Sequence, residues 1–272
     1  MKISKNILHK LIMIVIVGVI IFPFFWLLIS SFKFEKDIIT FPPTVFAEKY
    51  TLENYIKVFK TVPIFAYIKN TVVFAGGVIV TSVFFDSLAG YAFARMNFKG
   101  KKLLFYFVLL TMLVPFQVYM IPLFMEMNFL GLLNTYPGLI LPRMTTAFGI
   151  FMMRSFFVSL PKDLEEAARI DGMNEIKIYF HIMLPLCKPA MITLSVFTLM
   201  ANWNDLLYPL ILTSSADMRT LPAGLAMLAG QDINFYGPVI AGTVVSIIPL
   251  LIVYICIQKY FVQGAVMSGL KG

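Results

Sequence analysis

Long apolar stretches follow one another along the chain and are separated by short polar loops. A helix needs about 20 apolar residues to cross the hydrocarbon core of a bilayer. Six stretches have about this length, so the sequence predicts six transmembrane helices, at 11–30, 71–93, 103–124, 136–153, 189–212 and 239–258. These stretches are apolar on all sides, whereas the strands of a membrane barrel alternate apolar and polar side chains. We therefore predict an all-α, polytopic membrane protein.

The composition supports this class. Hydrophobic residues make up 60% of the chain, charged residues make up 13%, and the mean hydropathy is +0.86. A soluble domain carries roughly a quarter of its residues as charged side chains. The composition therefore excludes an ordinary soluble domain and makes membrane lipid the expected surrounding of most of the chain.

Basic residues in the short loops predict the orientation, because cytoplasmic loops carry an excess of Lys and Arg. The loops after the second and fourth spans hold Arg95, Lys99, Lys101, Lys102, Lys162, Arg169 and Lys177. The opposite loop at 125–135 has Glu126 as its only charge, although six lysines in the first outer loop run against the pattern. Both termini are thus expected in the cytoplasm. The net charge of +8 reflects this topology, and no basic and aromatic stripe indicates a nucleic-acid partner.

The loop between the fourth and fifth spans, at 155–188, is where polar residues gather in an ordered pattern. Pro161 suits the first turn of a helix, and the acidic residues after it complement the positive end of the helix dipole. Gly172 can end this helix in the left-handed conformation, and Asn174 can cap a second helix that runs to about Leu184. The sequence predicts a helix-turn-helix at the inner membrane surface that either docks a partner or only links two spans.

Motifs along most of the chain resemble one family of membrane proteins. The loop at 155–188 resembles the EAA loop of binding-protein-dependent ABC importer permeases. The matching residues are Glu166, Ala167, Ala168, Asp171, Gly172, Leu184 and Pro185. Further matching motifs are Gly90 to Arg95, Trp203-Asn204-Asp205, and Gln258 to Gly264. The chain is therefore similar to the MalG-type subunits of carbohydrate importers.

This resemblance implies a type I ABC importer permease fold and a non-catalytic role in sugar transport. It implies as partners a second permease subunit, two cytoplasmic ATPase subunits that bind the ATP, and an extracytoplasmic sugar-binding protein. The chain itself would need no cofactor. By the same resemblance, the C-terminal residues Gln263, Gly264 and Lys271 would reach the ATPase.

The resemblance also assigns roles within the loop. The helix before Gly172 would sit in a cleft of the ATPase, so that closure of the ATPase dimer on ATP turns the spans from inward-facing to outward-facing. Glu166 would pair with a basic residue of the ATPase. Ala167 and Ala168 would allow close packing, and Gly172 would set the bend.

The predicted fifth span carries a group of polar and aromatic residues, namely Asn202, Trp203, Asn204, Asp205 and Tyr208. Amides, a carboxylate and aromatic faces suit hydrogen bonding to sugars and stacking on sugar rings, and polar groups are costly within a membrane. On regular helical spacing, Asn204 and Tyr208 share one face and Asn202 and Asp205 another. They are therefore not expected to line one cavity together, and bonding to neighbouring spans is the alternative role.

Asp86 lies inside the second predicted span, where an ionisable side chain is rare and usually faces a cavity or a partner. It is a candidate for the substrate pathway or for an ion pair across the interface of two permeases. A protonated carboxyl group bonded to Ser82 or to a neighbouring carbonyl is the third alternative. The sequence does not choose among these roles.

Other functional classes find less support. The chain has no P-loop and its two histidines are isolated, so the sequence predicts neither nucleotide binding nor a metal site. An ion-coupled secondary transporter is expected to have broken midplane helices and internal repeats, and neither is detectable in the sequence. A membrane-embedded enzyme needs a nucleophile beside a base, and no such group is found. Within the importer class, a permease for polyamines or another small solute is the nearest alternative, because many importers share the EAA loop.

Overall fold

The computed structural model describes the backbone of residues 2–231 and 236–269, and side chains from 7 to 230 and from 236 to 255. All regular elements within these residues are helical, and none of them is a strand. The prediction of an all-α protein is therefore confirmed.

The helices, in chain order, are α1 (Lys2–Ser30), α2 (Glu35–Ile38), α3 (Glu53–Thr61), α4 (Ile64–Arg95), α5 (Lys101–Thr111), α6 (Phe116–Phe129), α7 (Tyr136–Ile140), α8 (Ala147–Ser159), α9 (Asp163–Ile170), α10 (Glu175–Ile178), α11 (Leu184–Leu186), α12 (Lys188–Trp203), α13 (Leu207–Leu212), α14 (Leu221–Gln231) and α15 (Tyr236–Gly269). A π-helical turn, Tyr179–Met183, joins α10 to α11. A 3₁₀ turn, Leu141–Arg143, follows α7. The chain forms two compact units, Met1–Ile64 with Gly224–Ile252 and Phe65–Ala223 with Val253–Gly272.

Three helices of the described chain are long and apolar enough to cross a membrane: α1, α4 and α15. Two further stretches qualify only as bent pairs, α5 with α6 at an angle of 97° and the α10–α11 segment with α12 at 75°. Counting each bent pair as one span gives five candidates. The stretches predicted at 103–124, 136–153 and 189–212 are each interrupted, so they are not continuous helices.

Proline residues and a side-chain hydrogen bond lie at these interruptions. Pro115 lies between α5 and α6 in an extended conformation, and it has no N–H to continue the helical ladder. Pro142 lies in the 3₁₀ turn after α7. Between α12 and α13, the Oδ1 atom of Asp205 accepts a hydrogen bond from the N–H of Tyr208 at 3.1 Å. The expectation that the chain lacks broken helices is therefore wrong, because these breaks do not lower the hydrophobicity from which spans are predicted.

In the first unit, polar side chains tie loops to helix ends. The buried Asn54 donates from Nδ2 to the carbonyl oxygens of Ser31 and Lys33, at 2.9 and 2.7 Å. Glu35 accepts hydrogen bonds from the N–H groups of Tyr236 and Gly237, each at 2.9 Å. These contacts hold the beginning of α15 beside the segment that follows α1.

Two apolar clusters form the core of the second unit. One joins the C-terminal half of α4 to α8, α9 and the π-helical turn, and it includes Tyr91, Phe157, Ala168 and Tyr179. The other contains Phe74 and Val78 of α4 with Leu123, Met127, Leu139, Tyr208 and Leu212. The first cluster packs beneath residues 163–178, and the second surrounds Tyr208; these are the two candidate functional regions described below.

Candidate functional site

The first candidate region is a bent pair of short helices, α9 and α10 with the turn between them, which we call the elbow (residues 163–178). Gly172 has a φ of +81°, a left-handed conformation that costs a side chain about 1–2 kcal/mol. The side chain of Asn174 accepts a hydrogen bond from the N–H of Lys177 at 2.9 Å and caps α10. The predicted turn at Gly172 and the predicted cap at Asn174 are therefore confirmed, while the second helix is regular only to Ile178 and continues as the π-helical turn.

A buried ion pair fixes the elbow to the end of α4. The Nε atom of Arg95 lies 3.2 Å from Oε1 of Glu165, and the side chains are 5% and 4% exposed. Neither atom has hydrogen-bond geometry, so this contact is held by charge, while Nη2 of Arg95 donates to the carbonyl oxygen of Leu160 at 2.6 Å. Burial raises the pKa of the Glu165 carboxyl group, and the guanidinium of Arg95 opposes that rise. The pair links α9 firmly to the long helix α4.

Glu175 connects α10 to the same network. It accepts hydrogen bonds from Nε of Arg169 at 2.8 Å and from the hydroxyl group of Tyr91 at 2.9 Å. Arg169 also lies within 3.7 Å of Glu165, between the Nη2 and Oε2 atoms. Both helices of the elbow are thus bound to α4 by polar side chains.

The elbow exposes one face and buries the other. Glu166, Ala167, Asp171 and Gly172 are exposed, as is Pro185, whereas Leu184 is half-buried. Ala168 is 4% exposed and packs in the chain's own core, so its small side chain serves packing inside this chain.

Sequence reasoning missed the three residues that hold the elbow, Arg95, Glu165 and Glu175. One signal was present for Glu165, because it lies three residues before Ala168 and therefore on the same helical face. Nothing in the local sequence pairs Arg95 with it, since the two residues are 70 positions apart.

The second candidate region surrounds Arg143, and we call Arg143, Asn202, Asp205 and Tyr208 the Arg143 cluster. Nη2 of Arg143 lies 2.5 Å from Oδ2 of Asp205, and Nη1 donates to Oδ1 of Asn202 at 2.9 Å. The guanidinium carbon stands 4.0 Å from the ring centre of Tyr208, a cation–π contact. One cation therefore gathers three of the five residues that the sequence singled out in this stretch.

This convergence corrects the expectation from helical spacing. Asn202 and Asp205 were expected on one face and Tyr208 on another, but α12 ends at Trp203 and the chain resumes as α13 at Leu207. The break turns Tyr208 toward the same cation. Regular 3.6-residue spacing does not apply across it.

The other two residues of the predicted group lie outside the cluster. Trp203 is 3% exposed, and its Nε1 atom has no protein partner among the described residues. Asn204 is exposed and donates from Nδ2 to the carbonyl oxygen of Met200 at 3.0 Å. Arg143, which organises the cluster, was not identified from the sequence, where it is a lone cation within a predicted span.

The aromatic ring of Tyr208 is held from several sides. It stacks on Phe74 with a centre-to-centre distance of 5.8 Å and an angle of 12° between the ring planes. Its hydroxyl group donates to the carbonyl oxygen of Leu139 at 3.0 Å. The floor of the cluster is therefore rigidly packed onto α4 and α7.

A cavity of about 390 Å³ opens beside the cluster. Its wall includes Arg143, Tyr208, Tyr119 and Glu126 together with apolar side chains of α6. Small-molecule sites are usually concave, mostly apolar, and furnished with a few polar groups. This cavity can hold a polar ligand against an aromatic face and a cation.

Asp86 does not line this cavity. Its carboxylate is fully buried and accepts hydrogen bonds from Ser82 at 2.5 Å, from Thr145 at 2.6 Å, and from the N–H and hydroxyl groups of Thr146 at 2.9 and 3.1 Å. A Cβ atom on Gly149 would lie 1.9 Å from Oδ2 of Asp86. Asp86 thus anchors the beginning of α8 to α4, and its bond with Ser82 was among the alternatives. It has no exposed surface for a substrate or a second permease.

The remaining predicted contacts lie in the C-terminal segment. The backbone at Gln263 and Gly264 belongs to α15, but their side chains and the whole of Lys271 lie outside the described residues. Among the side chains that the structure does describe, no group of three or more His, Cys, Asp or Glu residues is arranged to hold a metal ion.

Comparison with known proteins adds a family to this geometry. Residues 86–266 match the family described as binding-protein-dependent transport system inner membrane component. This segment contains the elbow, the Arg143 cluster and Asp86.

Curated relatives cover nearly the whole chain. It is 37% identical to the arabinooligosaccharides transport system permease protein AraQ of Halalkalibacterium halodurans, over 93% of this chain and 91% of the relative. It is 36% identical to the trehalose/maltose transport system permease protein MalG of Thermococcus litoralis, over 100% of this chain and 99% of the relative.

A solved structure has the same fold. It is a crystal structure of a bacterial ABC transporter involved in the import of the acidic polysaccharide alginate. The TM-score is 0.80 at 25% identity, and the match covers 95% of this chain and 96% of the other.

Proposed function

This chain belongs to the family of binding-protein-dependent transport system inner membrane components, and we propose that it is a membrane-spanning subunit through which an ABC importer passes oligosaccharides. Its curated relatives include permeases for arabinooligosaccharides and for trehalose and maltose. We propose further that the elbow receives the motion of a separate ATPase that binds the ATP. A second permease subunit and an external sugar-binding protein complete the proposed importer.

The exposed face of the elbow carries this proposal. Ile170 is 86% exposed and Ile176 is 69% exposed, although both lie in a polar segment, and Glu166, one helical turn before Ile170, is also exposed. We propose that a partner covers these two side chains, since the buried centre of a protein interface is more apolar than the rest of the surface. In the proposed topology this segment faces the cytoplasm, where an ATPase subunit can cover the isoleucines and present a cation to Glu166.

The buried face of the elbow supports transmission of force. Because Glu165 is paired with Arg95 and Glu175 is bonded to Tyr91, a push on α9 or α10 moves the end of α4. Protein interiors are close-packed and yield little, so a small displacement at the elbow becomes a rigid movement of a spanning helix.

The proposed topology has six spans with both termini in the cytoplasm of a bacterial cell and the chain in its inner membrane. The spans are α1, α4, the α5–α6 pair, the α7–α8 segment, the α12–α13 segment and α15. Three of them are broken, and breaks within spans are tolerated where protein or a cavity satisfies the freed backbone groups. The basic loops after α4 and α8 favour this orientation.

The coupling role is tested in the complete importer, reconstituted in proteoliposomes with its sugar-binding protein. Ile170→Asp puts a charge on the apolar face, and Glu166→Ala removes the carboxylate. Both should lower sugar-stimulated ATP hydrolysis and uptake, by about tenfold or more for Ile170→Asp. Glu53→Ala is the matched control, since it removes an exposed carboxylate from α3.

A cross-linking experiment locates the partner directly. A cysteine at position 166, in a chain without its native cysteines, should form a disulfide with a single cysteine on the ATPase. Cross-linking only to the external binding protein would contradict the proposed orientation. Normal uptake by Ile170→Asp would contradict the coupling role.

A further inference from the structure

Three charged residues lie at or beside the cavity next to the Arg143 cluster, and their charges can be added. Arg143 contributes a positive charge. Asp205, at 2.5 Å, contributes a negative charge that cancels it, and Glu126 on the cavity wall adds a second negative charge. The cavity therefore has an excess of one negative charge.

The ion pair is built into the fold. Asp205 is held by its hydrogen bond from the N–H of Tyr208, and Arg143 by Asn202 and by the Tyr208 ring. The two side chains are nevertheless 24% and 15% exposed, so both border open space. A guanidinium has five N–H donors, and its bonds to Asn202 and Asp205 do not use all of them.

The fold itself does not select the charge of a sugar. The transporter with the same fold is involved in the import of an acidic polysaccharide, whereas the relatives of this chain include permeases for arabinooligosaccharides and for trehalose and maltose. A choice between neutral and acidic sugars must therefore come from local side chains.

On the basis of the proposed import of sugars, we propose that the Arg143–Asp205 pair makes this cavity selective for uncharged oligosaccharides. The remaining N–H groups of Arg143 donate to sugar hydroxyl oxygens, and the carboxylates accept from sugar hydroxyl groups. The ring of Tyr119, which is 45% exposed and lines the cavity, contacts the apolar side of a sugar ring. Asp205 already neutralises Arg143, so the cavity offers no free positive charge to the carboxylate of a sugar acid. Glu126 repels that carboxylate, and sugar acids are therefore excluded by charge.

The electrostatic part of this inference is tested without knowledge of the sugar. Leu130 lines the cavity and is 54% exposed, so Leu130→Cys provides a reporter thiol in a chain carrying Cys187→Ala and Cys256→Ala. In the reconstituted importer, the rate of modification is measured with two methanethiosulfonates, one bearing a sulfonate and one a trimethylammonium group. The ratio of the two rates reports the sign of the local potential.

Asp205→Asn should raise the ratio of anionic to cationic modification by about tenfold, because it removes one of the two negative charges near Arg143. Arg143→Gln should lower the ratio, and the double variant should return it toward the wild-type value. Asp217→Asn, which removes an exposed carboxylate that does not line the cavity, should change the ratio less than about twofold. A purely structural pair would not produce opposite shifts that cancel.

Uptake separates this inference from the proposed function. Wild-type importer, supplied with its binding protein, should take up an uncharged trisaccharide, and Asp205→Asn should lose that preference against a trisaccharide of uronic acids. Failure of the wild type to transport any sugar would overturn the proposed function. A functioning importer in which neither variant changes the thiol ratio would overturn only the charge selectivity.

Discussion

The elbow and the Arg143 cluster both rest on α4, but they are assembled in different ways. The elbow is contiguous in sequence, and its shape follows from local signals such as Gly172 and Asn174. The Arg143 cluster is assembled from separate segments, since Arg143 precedes Asn202 by 59 positions, and Tyr208 joins them after α12 has ended at Trp203. A bent pair of helices can thus be encoded locally, whereas a cavity beside an ion pair between distant residues needs tertiary structure.

The charges of the two regions are also used differently. In the elbow, the Arg95–Glu165 pair is almost fully buried and serves attachment, while Glu166 next to it is exposed. In the Arg143 cluster, the side chains of the ion pair are 24% and 15% exposed, and Arg143 lines a cavity. Burial therefore separates a charge that holds the fold from one that is available for recognition.

The largest change in the free energy of unfolding is expected when the buried carboxylate of the elbow is removed. Glu165→Ala leaves Arg95 buried and unpaired, and we expect it to lower the free energy of unfolding by about 3–5 kcal/mol. The exposed neighbour Glu166 provides the control, because Glu166→Ala should change the free energy of unfolding by less than about 0.5 kcal/mol. Denaturant unfolding of the purified protein in detergent measures both. Equal effects of the two variants would mean that attachment and exposure are not divided as described.

The second-largest loss of stability is expected at Tyr208, the floor of the Arg143 cluster. Tyr208→Ala removes a buried ring that stacks on Phe74 and should cost about 3 kcal/mol in the same assay. Tyr208→Phe keeps the ring and loses only the hydrogen bond to Leu139, so it should cost about 1 kcal/mol. If the two variants are equally unstable, the hydroxyl group and not the stacked ring holds the floor.

The smallest effect is expected for the local capping signal of the elbow. Asn174→Ala removes the side-chain acceptor for the Lys177 N–H and should cost about 1 kcal/mol. Asn174→Ser keeps an oxygen acceptor and should restore most of that loss. A loss as large as that of Glu165→Ala would indicate that the turn depends on tertiary contacts that the structure does not contain.

Sequence reasoning succeeded where a feature depends on neighbouring residues. The apolar stretches predicted helices, Gly172 predicted the turn, and Asn174 predicted the cap, because each acts within a few residues along the chain. The motifs also identified the family of sugar importer permeases, which the comparisons bear out. Reasoning by helical spacing failed at Asp205 and Tyr208, because it assumes an unbroken ladder.

Asp86 shows where a local pattern stops being informative. An ionisable residue within a span predicts a function, but besides Ser82 its partners are groups of Thr145 and Thr146, 59 and 60 residues away at the beginning of α8. A carboxylate satisfied by such donors is stable inside a span without any substrate. The sequence contains both groups and does not indicate that they meet.

The amino-acid sequence by itself determined the class of the protein, the existence of its helices, the bend of the elbow and the family to which it belongs. Only the tertiary structure decided which charges are paired, namely Arg95 with Glu165 and Arg143 with Asp205, and which of them border open space. The physical reason is the distance along the chain over which each interaction acts. Hydrophobicity, backbone conformation and capping act within a few residues, whereas ion pairing and burial depend on distances in space between residues far apart in the chain.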